Sequence, residues 1–343
     1  MTNYIIVLTI FTVSLFIINF FLKKFNVFTH SNLESNHKKF GSSNVPLSGG
    51  LFFFLSFFFL YKDFFLINNF ILLLVIFFLA LGLIVDLNIE INPKLRFLFQ
   101  IFLTITLVLL GEIFIKKTNL FFLDFLLKSH IFNIFFSSFC ILVLLNGLNF
   151  MDGVNNNVIG FVTLIFFSII VIEIKNSNYE NLDAHYYFLI SLIVFYLFNA
   201  LNKNYLGDSG IYILSIILSL LVITFINSSG YVSPLLAVNL LWYPAIETLF
   251  SIIRKLFSKK NPFKPDTLHL HTLLMKIYSF YKIKYANTLT GVSLNLALVP
   301  NFFIAINYFN HSIILIITTF IYIVLYLISY IKFKAFLKNK TQI

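Results

Sequence analysis

Apolar residues in this chain come in long unbroken runs, not in alternating or one-sided patterns. "YIIVLTIFTVSLFIINFFL" (4–22) and "FVTLIFFSIIVI" (161–172) are hydrophobic on every helical face. A helix that is apolar all round belongs in a large core or a membrane, and a bilayer crossing takes about 20 such residues. A membrane barrel would show segments of about 10 residues alternating inward and outward, and no such alternation occurs. The pattern predicts an all-α, polytopic membrane protein with eleven spans: 4–22, 47–62, 64–85, 95–115, 130–148, 157–174, 185–201, 208–227, 232–253, 288–308 and 312–331. The second is short, so it is tilted or partly re-entrant. The segment 119–127 is too short to cross and reads as interfacial. No basic residue precedes the first run and no small-residue cleavage site follows it, so an uncleaved span is expected. No soluble domain interrupts the pattern, and 1–343 reads as one membrane domain.

Composition agrees with this reading. The chain is 59% hydrophobic and 11% charged, with a mean hydropathy of +0.94, whereas a soluble domain is about 25% charged. A single cysteine, Cys140, excludes a disulfide framework. The net charge of +11 could suggest nucleic acid, but its distribution marks topology instead. Of the 24 lysines and arginines, only Lys62, Lys116, Lys117, Lys128 and Lys175 fall after even-numbered spans. The positive-inside rule then predicts an outside N-terminus and a cytoplasmic C-terminus.

The polar motifs gather on the same side. "NVPLSGG" (44–50), Asp86, "NGLNFMDG" (146–153), "FNALNKNYLGDSG" (198–210) and "HLH" (269–271) all fall at predicted cytoplasmic ends. Acids at membrane depth are costly and mark function. Asp86, Asp152 and Asp208, at the ends of different helices, could converge on a hard divalent cation, which takes oxygen ligands and substrate phosphates. Each residue also has a plainer reading. Asp208 and Asp152 could be helix N-caps, and Asp86 a solvated loop acid. His269 and His271, two apart, would face different ways on a helix and read as surface histidines. The glycines of "SGG" suit close helix packing, and Glu247 could pair with Arg254 two turns on.

Taken in order, these motifs resemble the polyprenyl-phosphate N-acetylhexosamine-1-phosphate transferase family, which includes the undecaprenyl-phosphate GlcNAc-1-phosphate transferases and the phospho-MurNAc-pentapeptide translocases. The likeness covers about 37–275, before the last two spans (288–331). "HKKFGSSNVPLSGGL" (37–51) resembles the basic, Pro-x-x-Gly-Gly motif. "GLIVDLNIEINPKLRFLFQ" (82–100) resembles Gly-x-x-x-Asp-Asp with its downstream Pro93, Arg96 and Gln100. "NGLNFMDG" matches Asn-x-x-Asn-x-x-Asp-Gly, and "FNALNKNYLGDSG" the Gly-Asp-x-Gly block. "PAIETLFSIIRKLFSKKNPFKPDTLHLHTLL" (244–274) resembles the final His-x-His-His block.

The resemblance implies attack by a polyprenyl phosphate on a UDP-N-acetylhexosamine in the bacterial inner membrane, with release of UMP. The product would start a lipid-linked surface polysaccharide. It implies Mg²⁺, with Mn²⁺ as an alternative, on Asp208. Asp86 would act as base or as support for the metal, Asp152 in the nucleotide pocket, and His269 and His271 at the diphosphate or sugar. Asn146, Asn149, Asn199 and Tyr205 would contact the nucleotide, with Lys94, Arg96, Lys203 and Arg254 as phosphate neighbours. Nucleic acid is not an expected partner, and a homodimer is a candidate assembly. Spaced rather than consecutive histidines, and an eleventh span, favour the GlcNAc-type branch over the peptidoglycan translocases.

Three positions depart from the family pattern. Leu87 follows Asp86 where a second acid is expected, Asn155 stands at the second acid of Asp-Gly-x-Asp-Gly, and Thr272 replaces a histidine. Altered sugar preference and weakened activity are the two readings of these changes. A transporter is the rival of a different class, but it would hold its acids near mid-bilayer on broken helices.

Overall fold

The computed structural model describes residues 2–29, 45–65, 69–179, 182–261 and 267–340. The expected motif residues Lys38, Lys39 and Asp266 lie outside the described residues. Among those described the elements are helices: α1 Thr2–Lys24, α2 Gly49–Phe65, α3 Asn69–Asp86, α4 Pro93–Gly111, α5 Phe121–Leu127, α6 His130–Met151, α7 Asn157–Lys175, α8 Leu182–Ala200, α9 Gly207–Ser228, α10 Leu235–Phe257, α11 Leu270–Phe280, α12 Ala286–Asn307 and α13 Ser312–Lys340. Two isolated bridges, Thr29 with Pro46 and Leu47 with Tyr205, are the β-pairing seen among them.

Ten of these helices are long and apolar enough to cross a membrane. The shorter α2 also runs from one end of the bundle to the other. Its start is held at Tyr205, whose carbonyl accepts from the amides of Ser48 and Gly49. Tyr61, a little over three turns on, lies 6.0 Å from His185 near the far end of α8. There His185 Nδ1 lies 2.9 Å from Glu173 Oε2 and ties α8 to α7, a buried pair that no local periodicity announces.

Helix ends explain where the structure departs from the expected spans. Asn92 caps α4 by accepting from the Lys94 amide at 3.0 Å, with Pro93 in the first turn, where its missing N–H costs nothing. The same helix stops at Gly111 because Glu112 turns left-handed, with φ 54, four residues before the expected end. α13 continues through the basic tail to Lys340. The amphipathic α11 was not anticipated; it packs on α12 and α13. The interfacial segment is present as α5.

At the centre stands α9, with 89% of its apolar window buried, against 17% for α1 and for α13. It packs on α2, α3 and α6. Small residues set that distance. A Cβ on Gly49 would collide with Leu206, and one on Gly50 or Gly82 with Ser209, as the packing reading of "SGG" holds.

Candidate functional site

The start of α9 is built around Asp86, which closes α3. This acid is 3% exposed, not a solvated loop residue. Its Oδ1 accepts from the Asp208 amide at 2.8 Å, and its Oδ2 from the Ser209 amide at 3.1 Å and the Ser209 hydroxyl. The first amides of a helix lack intrahelical acceptors and carry the positive end of its dipole. Asp86 therefore caps α9 from another helix. Gly207 makes this possible: its φ is +72, and a Cβ there would press on the Asp86 carboxylate.

Asp208 is itself not a cap. It sits in the first turn, half-buried, with its Oδ1 3.8 Å from Arg96 Nη1. Behind it, Gln100 Nε2 donates to the Tyr212 hydroxyl at 2.9 Å. Asn146 Nδ2 reaches Gln100 Oε1 at 3.4 Å and the Leu142 carbonyl at 2.9 Å. Lys94 and Lys203 are exposed at this same end of the bundle.

A second group assembles around the two histidines. His269 precedes α11 in extended conformation (φ −80, ψ 153), while His271 is already inside the helix. That change of backbone overturns the expectation that they diverge. Their rings stack at 5.6 Å and 9°, and both are buried. His269 Nδ1 lies 3.1 Å from Glu247 Oε2, so the partner of Glu247 is this histidine and not Arg254, whose Nη2 donates to Ser251 Oγ at 3.4 Å. A carboxylate at Nδ1 favours the tautomer with its proton there and leaves Nε2 as the acceptor. Phe150 packs on His269 at 5.3 Å, and the buried Lys255 stands with its Nζ 5.7 Å over the Phe150 ring. Sequence reasoning counted Lys255 only as a topological charge and passed over Phe150, although it lies within "NGLNFMDG". Asp152 ends α6, its amide donating to the carbonyls of Leu148 and Asn149 at 3.1 and 3.3 Å. The next residue, Gly153, abuts the His271 imidazole so closely that a Cβ would collide with it.

The third group is a knot of amides. Asn155, 5% exposed, donates from Nδ2 to the Asn199 carbonyl at 3.0 Å and to Asn202 Oδ1 at 2.7 Å. Its own amide donates to Asn287 Oδ1 at 2.8 Å. Asn199 uses both ends of its side chain on backbone: Oδ1 accepts from the Asn156 amide at 2.7 Å, and Nδ2 donates to the Asn204 carbonyl at 2.8 Å. Asn199 thus shapes the two loops from within. Tyr205 donates from its hydroxyl to Asn202 Oδ1 at 3.4 Å, while its amide donates to the Pro46 carbonyl at 2.9 Å.

Asp86 and Asp208 meet at the α9 start, and Asp152 adjoins the histidines. Among the described residues no group of three His, Cys, Asp or Glu is gathered as a metal cluster, so the three acids do not converge in the way the sequence suggested.

A sequence model of glycosyl transferase family 4 matches residues 68–226. That stretch holds Asp86, Asp152 and Asp208 and ends before the histidines. The undecaprenyl-phosphate alpha-N-acetylglucosaminyl 1-phosphate transferase of Escherichia coli (strain K12) is 22% identical over 199 residues, 56% of this chain and 54% of the relative. The protein of that name from Salmonella typhimurium is 21% identical over 199 residues, with the same shares of 56% and 54%. That from Thermotoga maritima is 40% identical over 70 residues, 20% of this chain and 22% of the relative. The chain spans about half the length of the curated relatives it matches.

Proposed function

This chain is a divergent relative of glycosyl transferase family 4, and from that premise we propose that it transfers a sugar 1-phosphate from a UDP-N-acetylhexosamine to undecaprenyl phosphate at the cytoplasmic face of a bacterial inner membrane. The observation that carries the reading is the α9 start. A half-exposed acid, Asp208, is held in place by a buried one, Asp86, with Arg96 alongside.

In the reaction, an oxygen of the lipid phosphate bonds to the β-phosphorus of the UDP-sugar. The bond from that phosphorus to the bridging oxygen breaks, and UMP leaves with that oxygen. Positioning and charge neutralisation dominate such transfers. Arg96 attracts the diphosphate. His269, with Nδ1 engaged by Glu247, presents Nε2 toward a sugar or phosphate hydrogen, beside Lys255. Asp86 works as a positioning residue, since both of its oxygens are already taken by α9.

Mg²⁺ suits the donor set. Asp208 is an accessible carboxylate whose side-chain partner, Arg96, stands at 3.8 Å, and this ion needs only one or two carboxylates beside substrate phosphates. Asp208 would hold the ion, which when bound neutralises charge on the diphosphate.

The test is UMP release by the purified protein with undecaprenyl phosphate, Mg²⁺ and UDP-GlcNAc or UDP-GalNAc. Asp208→Ala should abolish both turnover and the response to Mg²⁺. UMP release from none of the sugars, with nucleotide binding demonstrated, refutes the activity. An unaltered rate in the variant removes Asp208 from the metal.

A further inference from the structure

At the end of the bundle opposite the candidate site lies a polar cavity of about 490 Å³, between the α4–α5 connection, the α9–α10 turn and the turn after α12. Lys116 and Lys117 line it together with Asn227 and Ser229. Nothing in the proposed transfer uses it.

The lysines are presented by a deliberately held segment. Residues 113–118 form no helix, yet side chains satisfy their backbone in turn. Asn227 clamps two points, its Nδ2 donating to the Phe114 carbonyl at 2.7 Å and its Oδ1 accepting from the Lys116 amide at 3.2 Å. The Ile115 amide donates to Ser137 Oγ at 3.0 Å, and the Ile115 carbonyl accepts from Asn133 Nδ2 at 3.0 Å. The Thr118 amide donates to Asp124 Oδ1 at 2.6 Å. Backbone outside a helix needs partners for its polar groups, and here side chains from α6, α9 and α5 supply them.

Two further observations point to a ligand. Among the described residues neither lysine has a carboxylate within ion-pair distance, and Asp124, the next acid along the chain, is spent on Thr118. Ser229, 3% exposed and lining the cavity, has a hydroxyl with no hydrogen-bond partner. A buried polar group left unpaired is costly, and an anionic oxygen in the cavity would satisfy it. We propose that this cavity binds a phosphate-bearing anion, through Lys116, Lys117 and the Ser229 hydroxyl.

A membrane phospholipid headgroup and a free phosphate share this chemistry, and the experiment separates them. The lipid-depleted full chain in detergent is titrated with phosphatidylglycerol, with phosphatidylcholine and with inorganic phosphate; bound lipid is counted by native mass spectrometry and stabilisation by thermal melting. Preferential retention of phosphatidylglycerol identifies a headgroup site, and stabilisation by inorganic phosphate without lipid preference a soluble one. In either case Lys116→Gln/Lys117→Gln should weaken binding by roughly 30-fold, two basic groups' worth, while the unliganded melting temperature stays put because both lysines are exposed. Ser229→Ala should weaken binding several-fold without lowering that temperature. Equal retention of both lipids, no effect of phosphate and no effect of the lysine pair overturn the proposal.

Discussion

Asn155→Asp, which restores the acid expected from the family pattern, should damage this protein. The Asn155 amide nitrogen now faces two close acceptors, the Asn199 carbonyl at 3.0 Å and Asn202 Oδ1 at 2.7 Å, with Thr288 Oγ1 farther off at 3.4 Å. A carboxylate oxygen there loses both bonds and opposes both oxygens. Asn202 can answer by turning its amide over, at the expense of a 3.4 Å bond from Tyr205. Asn287 Nδ2, now 3.4 Å from Asn155 Oδ1, can draw closer. The Asn199 carbonyl belongs to the backbone and cannot turn. One buried hydrogen bond is then lost beside a charge with partial compensation, a cost of about 2–4 kcal/mol. Melting of the detergent-solubilised protein should fall by several degrees, and UMP release should fall with it because Asn199 and Asn202 shape the loop leading to Asp208. Asn155→Ser, smaller and neutral, should cost less. An Asn155→Asp protein that melts at the same temperature and turns over as fast or faster would refute this account of the amide knot.

Other substitutions probe the α9 start. Asp86→Asn keeps one acceptor but turns a donor toward α9's amides, so about 1–3 kcal/mol of stability should be lost; turnover should fall and the Mg²⁺ requirement rise with the pH profile unmoved, whereas a shifted pH limb would make Asp86 the base. Gly207→Ala forces a left-handed alanine onto the Asp86 carboxylate and should cost more than the about 1–2 kcal/mol of the backbone alone. Gly230→Ala, where nothing lies within 4 Å of the added Cβ, serves as its melting control. Leu87→Asp changes a residue 45% exposed and should leave melting within about 0.5 kcal/mol; a large loss of stability would show that Leu87 packs more than its exposure allows.

The spans and the gathering of polar motifs at one end were legible in the sequence because both rest on local rules: unbroken apolar runs, and where charges interrupt them. Helix termini were not legible to the residue: the cap at Asn92 starts α4 two residues before the expected 95, and the left-handed turn at Glu112, which no residue type demands, ends it four before 115. The stacking of His269 on His271 was missed because a helix was assumed through both, while α11 begins between them. Pairs such as Glu247 with His269 and Glu173 with His185 join separate helices. Their spacings of 22 and 12 residues carry no period, so only packing reveals them. Helical spacing allows Glu247 to pair with Arg254 because it places both on one face, but it does not say which of them another helix will claim.

The three departures from the family pattern are therefore unlike one another. Leu87 is exposed beside an acid whose structural work is already complete: Asp86 caps α9 by itself, so the loss of its neighbour removes a charge from the site surface and leaves the scaffold standing. Thr272 lies in the first turn of α11, half-buried, next to a histidine pair that stacks without it. Asn155 alone is locked in by its surroundings, since its side-chain amide donates to the Asn199 carbonyl and to Asn202 Oδ1, bonds that a carboxylate cannot make. A site decaying without function would shed its buried acids as readily as its exposed ones, because an unpaired buried charge is the more costly to keep. Here Asp86 and Glu247 remain buried and partnered, each holding a group that faces the site. That pattern fits a site whose outer charges have been retuned around a maintained frame better than it fits a relic.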